Sequence, residues 1–246
     1  MNHSLFSAPE EDYSEHILKC KEKLEIILPQ FLVVTKRIFD NSIDETCLKR
    51  SFSDMLLYHD LGKLTKKWQE NIGKGKSLPS HAPIGAGFVY KKLSEESVPE
   101  DLRNATAFAI AIHHTDKGLL GDNIERPDVQ AIIDGIVGYD GKIIWHENIN
   151  ELNAELFPED AKNLNVNDLK DMARTLRIWS RGGGILEQHK RRLQAMLCHH
   201  ILKLCDISAA VERKEYQKES DRDFYGGWLM VEEIRRYMED FQKIRG

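Results

Sequence analysis

The chain has 246 residues, of which 41% are hydrophobic and 30% charged, and its formal net charge is −5. That balance describes an ordinary soluble chain with enough material for a real core, and it excludes a surface broadly coated with positive charge for nucleic acid. A local basic track stays compatible with it, because bound divalent cations would offset much of the negative charge.

The apolar spacing is helical almost throughout. Tyr13, His16, Ile17, Cys20, Leu24 and Ile27 recur at i, i+3, i+4 and i+7 and predict a first helix. Pro29 is expected to start a second one through Phe31, Val34 and Ile38. A third carries Leu48, Phe52, Met55, Leu56 and His59 on one face, with Gly62 as its stop. "NIGKGKSLPS" (71–80) reads as a loop, and helices are expected over 82–94, 100–114 and 127–137. "YDGKIIWHE" (139–147) has strand character and predicts one short β-hairpin. Helices follow at 167–179, about 185–217 and 226–243, with "RGGG" (181–184) as a flexible joint. The expected fold is therefore all-α, in a single domain over 1–246 with its core at about 12–210 and a peripheral helix at 226–243.

No run of 18 uncharged apolar residues occurs, so no membrane span is expected. The opening "MNHSLFSAPEEDYSEH" lacks the basic and apolar regions of a signal peptide. Cys20, Cys47, Cys198 and Cys205 form no C-x-x-C pair and read as reduced core residues of a cytoplasmic protein.

Ten histidines are present, and several fall where a core residue belongs. His16 and His59 lie on apolar helical stripes. His113 and His114 close "NATAFAIAIHHT", a helix apolar nearly all round and therefore central. Asp206 lies within the apolar "HHILKLCDISAAV", where a carboxylate needs a partner or a metal. One such histidine would be an ordinary hydrogen-bonded core residue, but so many beside an adjacent His59–Asp60 point to a metal. Imidazole and carboxylate donors suit Mn, Fe, Co, Ni or Zn, and a carboxylate-rich site also takes Mg. Adjacent mid-helix residues diverge by about 100°, so His59 and Asp60 can share an ion only where the helix ends and Gly62 turns the chain away.

These residues resemble the HD metal-dependent phosphohydrolase superfamily, whose signature is a distant His, an adjacent His-Asp and a distant Asp. "HDLGK", "SHAPIGA" and "AIHHT" are most similar to the HD nuclease of type I CRISPR interference. The resemblance implies an HD-domain helical bundle and two divalent metal ions, Mg, Mn, Co or Ni. One would be held by His16, His59, Asp60 and Asp206, the other by Asp60, His81, His113 and His114. It implies metal-dependent hydrolysis of phosphodiester bonds in single-stranded DNA or RNA by a metal-activated hydroxide, with Asp60 and Lys63 as catalytic residues. The implied partners are a separate CRISPR-associated helicase and a type I surveillance complex. Where the family often reads Asp-Trp-aliphatic-Ala-Ser, this chain reads "DISAA". "GKS" (75–77) is no phosphate loop, because position 70 is Glu and no strand precedes it.

Lys66, Lys67, Trp68, Lys74 and Lys76 interleave basic and aromatic character as a single-strand groove does. Lys190, Arg191 and Arg192 form a weaker basic run, and His199–His200 read as packing or surface residues. Two other readings compete. An HD phosphodiesterase of cyclic dinucleotides or nucleotides normally follows its His pair with Glu and a Gly-Tyr-Pro loop, whereas this chain has "HHTDKGLLGD". A non-catalytic, metal-stabilised binding module would normally have lost ligands.

Overall fold

The computed structural model describes residues 5–76, 78–114, 136–211, 236–238, 240 and 243. Most of the helix expected over 127–137 and most of that at 226–243 lie outside these, as does the segment 212–217. Among the described residues the chain runs β1 (Phe6–Ala8), β2 (Glu11–Asp12), α1 (Tyr13–Phe39), α2 (Glu45–Tyr58), α3 (Lys66–Asn71), α4 (Ala82–Glu95), α5 (Glu100–Ile112), α6 (Val166–Arg181) and α7 (Ile185–Val211). Short 3-10 turns occupy Leu61–Leu64, Glu147–Glu151 and Glu159–Asn163. None of the described helices is long and apolar enough to cross a membrane.

α5 is the axis of the bundle. Its residues from Asn104 to Ile110 are all buried, and it packs on α4 and α7 while α1 packs on α7 and α2. An all-round apolar sequence requires neighbours on every side, and α5 has them.

α1 is one continuous helix, not two. Asp12 caps it by accepting hydrogen bonds from the Ser14 and Glu15 amides, and Pro29 lies inside it. Pro29 and Glu25 face solvent, so the carbonyl deprived of its intrahelical bond is open to water. Ile27 and Leu28 before the proline and Thr35 and Phe39 after it are buried, which gives both halves a reason to remain aligned.

The paired strands lie at the start of the chain, where none were expected. β1 and β2 are antiparallel, with Phe6 opposite Asp12, joined through Glu10 at φ 64°. Gln69 of α3 fixes this hairpin: its Oε1 accepts from the Phe6 amide (3.1 Å), and its Nε2 donates to the carbonyls of Phe6 and Lys63 (each 2.8 Å). The segment 139–147 makes isolated bridges, Val137 with Ile143 and Thr65 with Trp145, around a turn at Gly141.

The glycine joint before α7 is tied down. Arg191 Nη1 donates to the carbonyls of Trp179 (2.8 Å) and Gly182 (3.0 Å), and Gln188 Nε2 donates to those of Arg181 and Gly183. These side chains satisfy the carbonyls that the end of α6 leaves unpaired. Arg191 is thereby committed to the fold, and Lys190 pairs with Asp101 at 3.4 Å. Of the basic run 190–192, Lys190 and Arg191 are thus engaged within the fold, and Arg192 is exposed.

Candidate metal centre

Seven side chains distant in sequence meet where helix ends converge. His16 comes from the first turns of α1 and Asp206 from α7, while His59 and His113 follow the last residues of α2 and α5. His81 immediately precedes α4, and Asp60 opens the 3-10 turn. Gly62 has an ordinary backbone angle within that turn, so it is not a left-handed stop. What it permits is close approach: a Cβ there would lie 2.4 Å from the His81 carbonyl oxygen. Gly85 plays the same part from α4, since its Cβ would lie 2.4 Å from the carbonyl oxygen of Tyr58 and 2.6 Å from that of His59.

The donors form two groups. His16, Cys20, His59 and Asp206 present ligand atoms within 4.8 Å of one another, and so do Asp60, His81, His113 and His114. Asp60 lies between them. Its Oδ2 is 3.5 Å from His16 Nε2 and 3.4 Å from His59 Nε2, and its Oδ1 is 3.0 Å from His81 Nε2 and 3.5 Å from His113 Nε2. Asp206 Oδ1 is 3.3 Å from His16 Nε2 and 3.8 Å from His59 Nε2. His114 Nε2 approaches His81 Nε2 at 2.7 Å.

The ring nitrogens facing away from the centre are engaged by the protein. His59 Nδ1 meets the Leu56 carbonyl at 2.8 Å and His113 Nδ1 meets that of Ile110 at 2.6 Å, so each can donate only from Nδ1. His16 Nδ1 meets Glu11 Oε1 at 3.2 Å, and Ser7 Oγ donates to the other oxygen of that carboxylate. These contacts leave the Nε2 lone pairs aimed inward.

The donor set fits a divalent cation. His59 Nε2 and His113 Nε2 are buried without a hydrogen bond, while Asp60 Oδ2 has the Lys63 cation at 2.6 Å. Groups so placed are costly unless something compensates them, and imidazoles with carboxylates are what a cation of the Mn–Zn series binds.

Electrostatics agree with that inventory. Burial works against ionisation of Asp60, but His59, Lys63, His113 and His81 outweigh it and hold its carboxyl well below the usual range. Burial likewise opposes the Asp206 charge, and His16 and His59 overcome it. Burial pushes His81 down to about 4, and it also lowers His113, so both rings are neutral lone-pair donors near neutrality.

Lys63 is also in the centre. Its Nζ is 2.6 Å from Asp60 Oδ2 and 5.7 Å from the Trp68 ring centroid. A cleft of about 390 Å³ opens beside it, lined by Lys63, Trp68, Ser80, His81 and His114 and closed on one side by Ser7–Pro9 of the hairpin. Trp68 corrects one expectation: its ring is 3% exposed and packed against His81, so it forms a wall and offers no free face for stacking a base. Lys66, Lys74 and Lys76 are exposed, and Lys67 is half-buried. Lys66 is 3.8 Å from Glu70. Among the described histidines outside the centre, His200 packs edge-on against Phe31, His146 caps the turn at 147–151, and His189 is exposed.

Two features escaped the sequence reading. Glu11 precedes the first helix in what looks like an irregular leader, and nothing local announces a buried carboxylate. Cys20 reads as a core residue, although its i+4 spacing from His16 was a usable signal.

No protein-family model matches the chain. It is 26% identical over 203 residues to the CRISPR-associated endonuclease Cas3-HD of Thermoproteus tenax, an alignment spanning 80% of this chain and 83% of the relative. Its fold matches the CRISPR-associated Cas3 HD domain protein of Methanocaldococcus jannaschii with a TM-score of 0.63 at 17% identity, over 81% of this chain and 99% of that one. The chain is thus similar in sequence to a Cas3-HD endonuclease and shares the fold of a Cas3 HD domain protein. In the Cas3-like fold seen here, the His-Asp pair gives the first carboxylate access to both donor groups, and the hairpin and α4 close around it.

Proposed function

We propose that this chain is a metal-dependent nuclease that hydrolyses phosphodiester bonds of single-stranded DNA in type I CRISPR interference. Its ATP-driven partner would be a separate helicase working with a surveillance complex. The observation that carries the reading is the position of Asp60, whose two oxygens reach two separate donor groups. The similarity to a CRISPR-associated endonuclease supports the substrate class.

His16, His59, Asp60 and Asp206 would hold one divalent ion, and Asp60, His81, His113 and His114 a second. When bound, such a pair supplies Lewis-acid polarisation of the phosphate and an acidified water. The protein's own share begins with orientation. The Nδ1 contacts of His59 and His113 and the Glu11 contact of His16 fix which nitrogen faces the centre. Lys63, at the junction of the centre and the cleft, holds its cation beside Asp60, where it offsets charge developing on a scissile phosphate. The strand would enter by the cleft, and exposed Lys74 and Lys76, on the loop whose residues Ile72 and Leu78–Ser80 line it, would attract the backbone.

The test is incubation of the pure protein with Mg, Mn, Co or Ni and labelled single-stranded DNA, duplex DNA, RNA and cyclic dinucleotides. Metal-dependent degradation of single-stranded DNA is the expected result. Selective opening of a cyclic dinucleotide would replace this reading with a phosphodiesterase.

A further inference from the structure

The first donor group contains a sulfur. Cys20 lies one helical turn beyond His16 on α1, is fully buried, and places its Sγ 3.6 Å from His16 Nε2. Its Sγ, His16 Nε2, His59 Nε2 and an Asp206 oxygen all lie within 4.8 Å of one another. The group is more than a lone thiol, because His59 Nε2 is buried at 0% exposure and aimed into the same space without a hydrogen bond. The spacings suit ligation. Metal–sulfur and metal–nitrogen bonds of about 2.3 and 2.0–2.1 Å at a tetrahedral angle put sulfur and nitrogen about 3.5 Å apart, and nitrogen and oxygen about 3.4 Å apart. The observed values are 3.6 Å for Cys20–His16 and 3.3 Å for Asp206–His16.

We infer that Cys20 is a ligand of the first metal position, so that this position takes a thiophilic or borderline ion in preference to Mg or Mn. The inference rests on the metal-centre reading and sharpens it. Asp60 and the second group offer oxygen and nitrogen only, so the two positions differ in softness, and a thiolate selects against hard cations. On coordination the thiol proton leaves to solvent and the thiolate electron pair forms the metal–sulfur bond.

Cobalt(II) is the probe. Titrated into the full chain, it should give a near-ultraviolet sulfur-to-cobalt charge-transfer band alongside its visible ligand-field bands. X-ray absorption should show one sulfur scatterer at about 2.3 Å. Cys20→Ser should lose the band while keeping cobalt stoichiometry, and Cys205→Ser should retain it. The same Cys20→Ser change should weaken cadmium binding at this position by about tenfold or more and leave manganese within about threefold. Bound cobalt with only nitrogen and oxygen neighbours in the wild-type chain overturns the inference, as does a band that follows Cys205. Failure of the chain to bind cobalt at all would overturn the metal-centre reading together with it. Because the absorption and scattering measurements are made on the wild type, the inference stays open to refutation even if Cys20→Ser does not fold.

Discussion

Glu11 Oε1 lies 3.2 Å from His16 Nδ1, so a two-residue strand outside the helical bundle orients a histidine at its heart. Burial opposes protonation of His16, yet Cys20, Asp206 and Glu11 together raise its pKa well above the usual value. Glu11→Gln keeps the shape and removes the charge. It should weaken metal binding about 10–100-fold, the range for losing a carboxylate behind a ligating histidine. Competition against a chromophoric chelator measures this, and unchanged affinity would remove Glu11 from the centre.

Asp60 belongs to the second group and stands beside the first, its Oδ2 3.5 Å from His16 Nε2 and 3.4 Å from His59 Nε2. Asp60→Asn should cost more than about 100-fold in affinity for each ion, above the effect of an outer partner, and should abolish metal-dependent cleavage. Metal content by mass spectrometry and a strand-cleavage assay read the two effects separately. Retention of one fully occupied position would show that the groups do not share Asp60.

Gly85 lets α4 lie directly on the backbone of the His-Asp turn. Gly85→Ala should lower stability by about 1–3 kcal/mol, the usual cost of overpacking, because the added methyl meets two carbonyl oxygens that belong to the turn itself. Gly184→Ala, with nothing within 4 Å of its Cβ, is the control. Chemical denaturation compares them, and equal stabilities would refute the tight contact.

Asp54 provides a pH dependence away from the metal. Burial raises its pKa to about 6, with Lys92 at 3.8 Å opposing, so the folded chain holds that proton more tightly than the unfolded one. Its favourable contribution is complete below the unfolded pKa of about 3.9 and is lost as pH rises through about 6. Relative to Asp54→Asn, the wild type should therefore lose about 1–2 kcal/mol between about pH 4 and pH 7, after allowance for screening. Denaturation curves at the two pH values check it, and a difference that is flat with pH would refute the buried carboxyl.

Lys74 and Lys76 test the approach of the strand. Changing both to Glu should weaken single-strand binding and flatten the plot of log affinity against log salt by at least about 1.4, two phosphate contacts at about 0.7 each. Fluorescence anisotropy across a salt series measures the slope. An unaltered slope would exclude this loop from the strand path.

The helices and the identity of the metal-type residues were legible from the sequence, because each depends on local order. Periodic apolar residues define a helix face, and a histidine or aspartate on such a face is conspicuous wherever the partner element lies. Pro29 misled because local chemistry says that a proline opens a helix, while packing on both sides of it keeps α1 whole. Gly62 misled for a related reason: what matters there is the carbonyl of His81, remote in sequence, and not its own backbone angle. Glu11 was invisible as a participant because its approach to His16 depends on the hairpin folding back on α1. Cys20 lay at a legible i+4 spacing from His16, and only its approach to His59 and Asp206 required three-dimensional packing. The sequence thus determined which donors exist and that they lie on buried surfaces. Tertiary structure alone decided how they group, that Asp60 stands between the groups, and that Trp68 is a wall, since these are relations between elements whose separation in the chain carries no information about their separation in space.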